Sequence, residues 1–365
     1  MGPTGERIET AAIAAAMKSL VRERTTIMEV CGTHTVSIFR NGLKSLFPDN
    51  LRLVSGPGCP VCVTDQAEID AAVATAELPD TIVATYGDML RVPGSRGSLL
   101  DARSRGRTVQ VVISASEALR LAEENPAKAV VFLAVGFETT APATASIVLE
   151  AAAKRLDNFF VLSMHKRVPP ALKLLAEAPD LSVDGFLLPG HVSVILGHEP
   201  YRFLSDRYGK ACAIAGFEAR DIMLGLAEIL RQLRTGHPDI RSVYPRAVRP
   251  GGNEKARALL ERVFERVSAS WRGLGEMYDS GYGLREEFRG FDAFSTLGIE
   301  LIPALPPAGC RCGDVLKGVV SPTECSLFGG ACTPSEPVGP CMVSTEGSCA
   351  AYYSYGRWGA GKWTD

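Results

Sequence analysis

The chain contains no run of lysine and arginine, no long apolar stretch and only five histidines. A net charge of −2 over 365 residues, without a basic cluster, argues against nucleic acid or an anionic membrane as the main partner. No segment approaches the roughly 20 apolar residues of a membrane-spanning helix. The start, "MGPTGERIETAAIAAAMKSLVRERT", has only a short alanine-rich run closely flanked by charge. It reads as an amphipathic helix rather than a signal peptide, which points to a cytoplasmic protein. Nucleotide motifs are missing too. No GxGxxG occurs, and "GRWGAGKW" (356–363) fails as a P-loop. Trp363 stands where Ser or Thr must reach magnesium, and the sequence offers no helix after it. No G-x-S-x-G nucleophile elbow is present.

What the chain does have is cysteine, ten in all, in a composition that is otherwise that of a folded globular protein. A reducing compartment disfavours structural disulfides, so metal binding or redox chemistry is the expectation. Six of the ten (Cys310, Cys312, Cys325, Cys332, Cys341, Cys349) crowd the end, and Cys31, Cys59 and Cys62 lie near the start. Cys212, within the apolar run "ACAIAGF", reads as a small buried hydrophobe.

The length calls for two or three domains. Short apolar runs recur at 25–30, 51–56, 81–87, 109–114, 129–137, 159–165, 185–191 and 211–217, spaced so that one helix fits between neighbours. That is the βαβ rhythm, and continuous apolar runs suit parallel strands covered on both faces. The expected fold class is α/β: two similar parallel-sheet domains plus a C-terminal, loop-rich domain. The boundaries read as 1–125, 126–240 and 241–365. Asp65 with Glu68 forms a candidate capping box. Thr139 or Thr140 caps the helix after 129–137. Asn253 opens a long amphipathic helix, "NEKARALLERVFERVSASW". Beyond about residue 285, Gly, Pro and Cys become dense. Such a tail builds little apolar core, and a metal or cross-link compensates.

Open parallel sheets bind ligands at the carboxyl ends of their strands. Cys31, in "VCGTHT", follows the first strand, and Cys59 and Cys62, in "SGPGCPVC", follow the second. A helix start just after each thiol favours thiolate. Gly56 and Gly58 permit a tight path that Pro57 and Pro60 stiffen. A low-pKa CxxC pair held rigidly at a strand-to-helix turn is the expectation, and half of a zinc site is the alternative. His34 adjoins Cys31 and joins the candidate site. His165, His191 and Glu138 end strands; each is also explained as a hydrogen-bonded or capping residue. Cys312, Cys325, Cys332 and Cys341 on a glycine- and proline-rich coil suit a [4Fe–4S] cluster, whose ligation is all-cysteine. Spacing alone leaves a Cys₄ zinc knot equally open.

The blocks "CGTHT" (31–35), "GPGCPVC" (56–62), "GFETT" (136–140), "PGHVS" (189–193), "RCGDVLKG" (311–318) and "CMVSTEGSCAAYY" (341–353) resemble the signature blocks of the HypD family. Those proteins take part in maturation of [NiFe]-hydrogenases. The resemblance implies two α/β domains and an iron–sulfur domain. It implies a scaffold that works with a HypC-type chaperone to assemble the Fe(CN)₂CO group, with HypE (and HypF) as the source of cyanide. By position, Cys31 matches the cysteine expected to hold that iron. Cys59 and Cys62 match a thiol pair expected to shuttle electrons. Cys312, Cys325, Cys332 and Cys341 match the cluster ligands, and Cys349 matches a further family cysteine. "AIAGFEA" departs from the family pattern without touching a cysteine. Two other readings stand beside this one: an iron–sulfur thiol–disulfide oxidoreductase, and a zinc-stabilised binding protein without redox function.

Overall fold

The computed structural model describes residues 3–178 and 181–356; most of the rejected P-loop run, 357–363, lies outside them. Among the described residues eleven strands form two parallel sheets and one hairpin. The strands are β1 (Thr25–Glu29), β2 (Leu51–Ser55), β3 (Thr81–Thr85), β4 (Thr108–Val111), β5 (Ala129–Gly136) and β6 (Phe159–His165). They continue as β7 (Gly185–Pro189), β8 (Ala211–Ala215), β9 (Ile240–Ser242), β10 (Phe264–Trp271) and β11 (Gly275–Leu284). The eight apolar runs all form strands. The central ones, β3, β7 and β8, are buried at every residue because helices cover both sheet faces. Among the described residues no helix is long and apolar enough to cross a membrane.

The sheets do not follow the chain in the order expected. One has the order β2-β1-β7-β8-β9, the other β4-β3-β5-β6. The first two strands thus belong with the last three of the α/β region, and the second sheet is inserted between them. A division at 125/126 would cut through this inserted sheet. Local apolar runs are alike in every strand, so nothing in them says which edge a strand joins. The register is explicit: Ile27 pairs with Leu53 on one side and with Gly185 on the other.

A second difference concerns residues 253–271. Asn253 caps a helix as expected, its side chain accepting from the Ala256 N–H, but the helix ends at Val263. From Phe264 the chain becomes β10 and pairs antiparallel with β11. Gly273 and Gly275, at φ +77° and +79°, make the turn that only glycine adopts without strain. The tail is loop-rich, with short helices at Cys312–Leu316, Pro340–Val343 and Ser348–Tyr355.

Candidate functional site: a path of cysteines

Cys31 is the N-cap of the helix Gly32–Arg40, directly after β1. Cys59 is the N-cap of the single turn Pro60–Val63, after β2. Because β1 and β2 are parallel neighbours, both thiols leave the same edge of one sheet. The Gly32 N–H donates to the Gly58 carbonyl at 3.0 Å, tying the two turns together. A Cβ on Gly58 would overlap the backbone of Cys31, so glycine there sets how close they come.

The helix-dipole expectation for Cys31 fails. The thiol is 8% exposed and its pKa is pushed up to about 12, first by burial and then by Glu346 and Glu29. A rise of three units is worth about 4 kcal/mol. A helix terminus supplies only about 0.3–1 kcal/mol, so desolvation wins. Cys31 is a thiol at neutral pH. Two acids frame it that sequence reasoning did not single out. Glu29, 2% exposed, accepts the Cys31 N–H through Oε2 at 3.1 Å and the Thr35 hydroxyl through Oε1. Glu346 accepts the Thr33 hydroxyl at 2.7 Å and lies against Gly32. The one sequence signal for Glu29 was its place in "MEVC", two residues before the thiol.

His34 is fully buried, and its Nε2 donates to the Gly216 carbonyl at 2.9 Å, at the end of β8. Burial pushes its pKa down to about 4, so the ring is neutral and its Nδ1, without a partner, carries the lone pair. The ring packs on Phe217, which stacks on the exposed His191 at 4.0 Å. His191 therefore joins the Cys31 edge. His165 does not: it is buried beside Thr144, bonded through Nε2 at 2.9 Å, and meets Phe264 edge-on. Glu138 is fully buried and accepts the Val168 N–H at 3.1 Å, so it caps the following helix, Val168–Glu177, rather than its own. The nearer helix has Thr140 as N-cap, but its hydroxyl donates back to the Phe137 carbonyl at 3.3 Å instead of capping the helix. The capping box of Asp65 and Glu68 is present. Cys212 is fully buried in β8, as a small hydrophobe would be.

Cys59 and Cys62 form a disulfide. The Cys62 sulfur lies 4.0 Å from the carbonyl oxygen of Pro340, the residue before Cys341. The short helices Cys312–Leu316 and Pro340–Val343 both pack on the CxxC turn. Behind them, all six tail cysteines line one pocket of about 20 Å³. The sulfurs of Cys312 and Cys341 stand 2.7 Å apart. Cys312 is held well below the usual thiol range by hydrogen bonds from Cys310 and Cys341, with a contribution from Arg272. Cys341 is pushed well above it. The tip of the β10–β11 hairpin packs against the CxxC turn and the helix that begins at Cys312, behind the pocket lining. Arg272 donates its backbone N–H to Val63 at 2.8 Å, and Gly273 abuts Gly313. Sequence reasoning did not single out Arg272, which follows directly on the run 253–271 that it read as one helix.

The pocket's donors are thiols only, which fits an iron–sulfur cluster or another soft-metal group better than a hard cation. Among the described residues, no three His, Cys, Asp or Glu stand as a single-ion site. The donor set, with a buried guanidinium beside it whose Nη2 has no partner, carries the fit rather than the present sulfur spacing.

Comparison with known proteins gives the same direction. Residues 8–356 match the HypD family, described as "Hydrogenase formation hypA family". A hydrogenase maturation factor HypD of Cupriavidus necator is 45% identical over 355 residues, covering 94% of each chain. A counterpart from Azotobacter vinelandii is 46% identical, covering 91% of this chain and 89% of its own. A putative hydrogenase expression/formation protein of Methanocaldococcus jannaschii is 42% identical, covering 92% and 93%.

Proposed function

The chain belongs to the HypD family of hydrogenase maturation factors, and from that premise we propose that it is a redox-active scaffold on which the iron group of [NiFe]-hydrogenases is assembled. The observation that carries this is the continuity of the sulfur path. Cys31 is tied through Gly58 to the Cys59–Cys62 disulfide, whose Cys62 sulfur lies against the Pro340 carbonyl, one residue before Cys341 of the pocket.

In this reading Cys31 holds the iron of the Fe(CN)₂CO cargo together with a HypC-type chaperone. HypE, served by HypF, delivers cyanide. Soft, electron-rich iron favours thiolate, and binding it displaces the proton that burial keeps on Cys31. The tail pocket holds a [4Fe–4S] cluster through Cys312, Cys325, Cys332 and Cys341. When bound, that cluster supplies single electrons. Two electrons and two protons open the Cys59–Cys62 disulfide to two thiols, and reforming the bond returns two electrons and two protons to the chemistry at Cys31. Burial of both sulfurs keeps external thiols from short-circuiting that exchange. The location consistent with this thiol chemistry is the cytoplasm.

Infrared spectroscopy and metal analysis of the complex, isolated anaerobically with its small chaperone, test the reading. Bands of metal-bound cyanide and carbon monoxide are expected, and Cys31→Ala is expected to lose them. A variant that keeps them sinks the role given to Cys31. The contact of Cys62 with Pro340 also favours a second reading, an iron–sulfur thiol–disulfide oxidoreductase. That reading predicts disulfide reduction of a partner and no such bands.

A further inference from the structure

Arg272 is an unusual residue to find where it is. It is 3% exposed, and a guanidinium is charged at any physiological pH. Its bonded partners are neutral: Nε donates to the Thr64 carbonyl at 3.1 Å, and Nη1 to Gln66 Oε1 at 3.1 Å. The network reaches an acid, Asp70, only through the Gln66 amide, at 3.4 Å. Among the described residues Nη2 has no partner. A buried charge without compensation costs several kcal/mol, so a native chain that keeps one has an anion for it.

The surroundings say which anion. Arg272 sits at the hairpin turn, with Trp271 bridged to Thr64 and Gly273 against Gly313, the residue after Cys312. It is thus wedged between the end of the CxxC turn and the first helix of the cysteine pocket. Its charge lies within electrostatic reach of Cys312, the first residue of that helix. Arg272 stands behind the pocket wall rather than in its lining; the cation that does line the pocket, Arg311, is half-exposed and already paired with Asp314 at 2.9 Å.

We infer that Arg272 is the fixed counter-charge of the cysteine pocket: a positioning residue that clamps the CxxC turn with two donors while its uncompensated charge stabilises negative charge on the sulfur-ligated group. Each electron taken up there adds negative charge, so a buried cation close by favours the reduced form and makes the group easier to reduce. This rests on the reading that the pocket holds an iron–sulfur cluster. One residue would then set both the position of the disulfide and the ease with which electrons reach it.

The test is a spectroelectrochemical titration of the full chain isolated anaerobically, with iron and sulfide counted first. Wild type, Arg272→Gln, Arg272→Lys and Arg311→Gln are compared. Arg272→Gln is expected to shift the midpoint negative, so that at the wild-type midpoint the reduced-to-oxidised ratio falls about tenfold. Arg272→Lys keeps the charge and is expected to stay close to wild type. Arg311→Gln, screened by solvent and deprived of a paired cation, is expected to move little. An unchanged midpoint in Arg272→Gln, or an equal shift in Arg272→Lys, overturns the inference. Should Arg272→Gln fail to fold, Arg272→Lys decides alone, since a purely structural role predicts that it shifts too. Wild type without iron and sulfide instead overturns the cluster reading, and the inference with it.

Discussion

The backbone of Gly58 rests on the backbone of Cys31. Its carbonyl accepts the Gly32 N–H at 3.0 Å, and there is no room between them for a methyl group. Two turns that follow different strands are thereby locked edge to edge, and the disulfide is carried to the Cys31 thiol by glycine packing.

Gly58→Ala is therefore expected to push the CxxC turn away from Cys31. Overpacking of this kind costs about 1–3 kcal/mol. Urea denaturation reads the cost, and alkylation of Cys31 in the native protein reads the opening. A stability loss without faster alkylation would show that the two turns part somewhere else.

Much of this site was legible in the sequence, and the losses have physical causes. The strand-end positions of Cys31, Cys59 and Cys62 followed from apolar runs and helix starts, which are local. The capping box of Asp65 and Glu68 is local too, and it is present. Sheet membership is not local: β1 finds β7 across more than 150 residues, and no run announces that pairing. The ionisation of Cys31 was misread because burial depends on what the tail contributes; Glu346 arrives from the far end of the chain. Arg272 was invisible because its meaning lies in the neutrality of its neighbours.

Two buried groups give opposite dependences on pH. Glu138 has its pKa raised from 4.5 to about 7 by burial. The folded state then holds a proton that the unfolded state releases, so stability falls as pH rises through that window. Relative to Glu138→Gln, wild type is expected to lose about 3 kcal/mol between about pH 4.5 and pH 7. His165 has its pKa lowered from 6.5 to about 4, again by burial. Its contribution has the opposite sign: relative to His165→Asn, wild type gains stability as pH rises over that range. Denaturation midpoints of the two variants at about pH 5 and pH 7 should diverge from wild type in opposite directions. Parallel profiles would mean that neither group titrates in the folded state as described.

The Lys166 ammonium lies 2.5 Å from Glu68, with side chains 1% and 8% exposed. Burial raises the Glu68 pKa even so, which shows that the carboxylate's desolvation is not fully offset by its partner. Lys166→Met leaves that carboxylate alone and is expected to cost about 3–5 kcal/mol. Adding Glu68→Gln should recover part of the loss. The double-mutant cycle on urea midpoints measures the coupling; additive losses would show that the pair contributes no interaction of its own.

The last prediction separates ligands from bystanders among the cysteines. Six thiols share the tail pocket, yet a [4Fe–4S] cluster takes four. Cys212 is remote, sealed within β8 between neighbours in the other sheet strands. Serine there buries a hydroxyl that can still donate to the Lys210 carbonyl, which now accepts from the thiol at 3.5 Å. Cys212→Ser is expected to cost at most about 1–3 kcal/mol and to keep full iron and sulfide. Cys312→Ser and Cys341→Ser remove the two central sulfurs and are expected to abolish iron, sulfide and the visible absorption together. Cys310, half-exposed, hydrogen-bonds to Cys312 and stands outside the proposed ligand set, so Cys310→Ser is expected to keep the iron. Cys349 stands beside Cys341 and is the strongest competitor for a ligand place. If iron survives Cys312→Ser but not Cys349→Ser, Cys349 takes over as fourth ligand, and Cys312 becomes the free thiol that faces the hairpin cation.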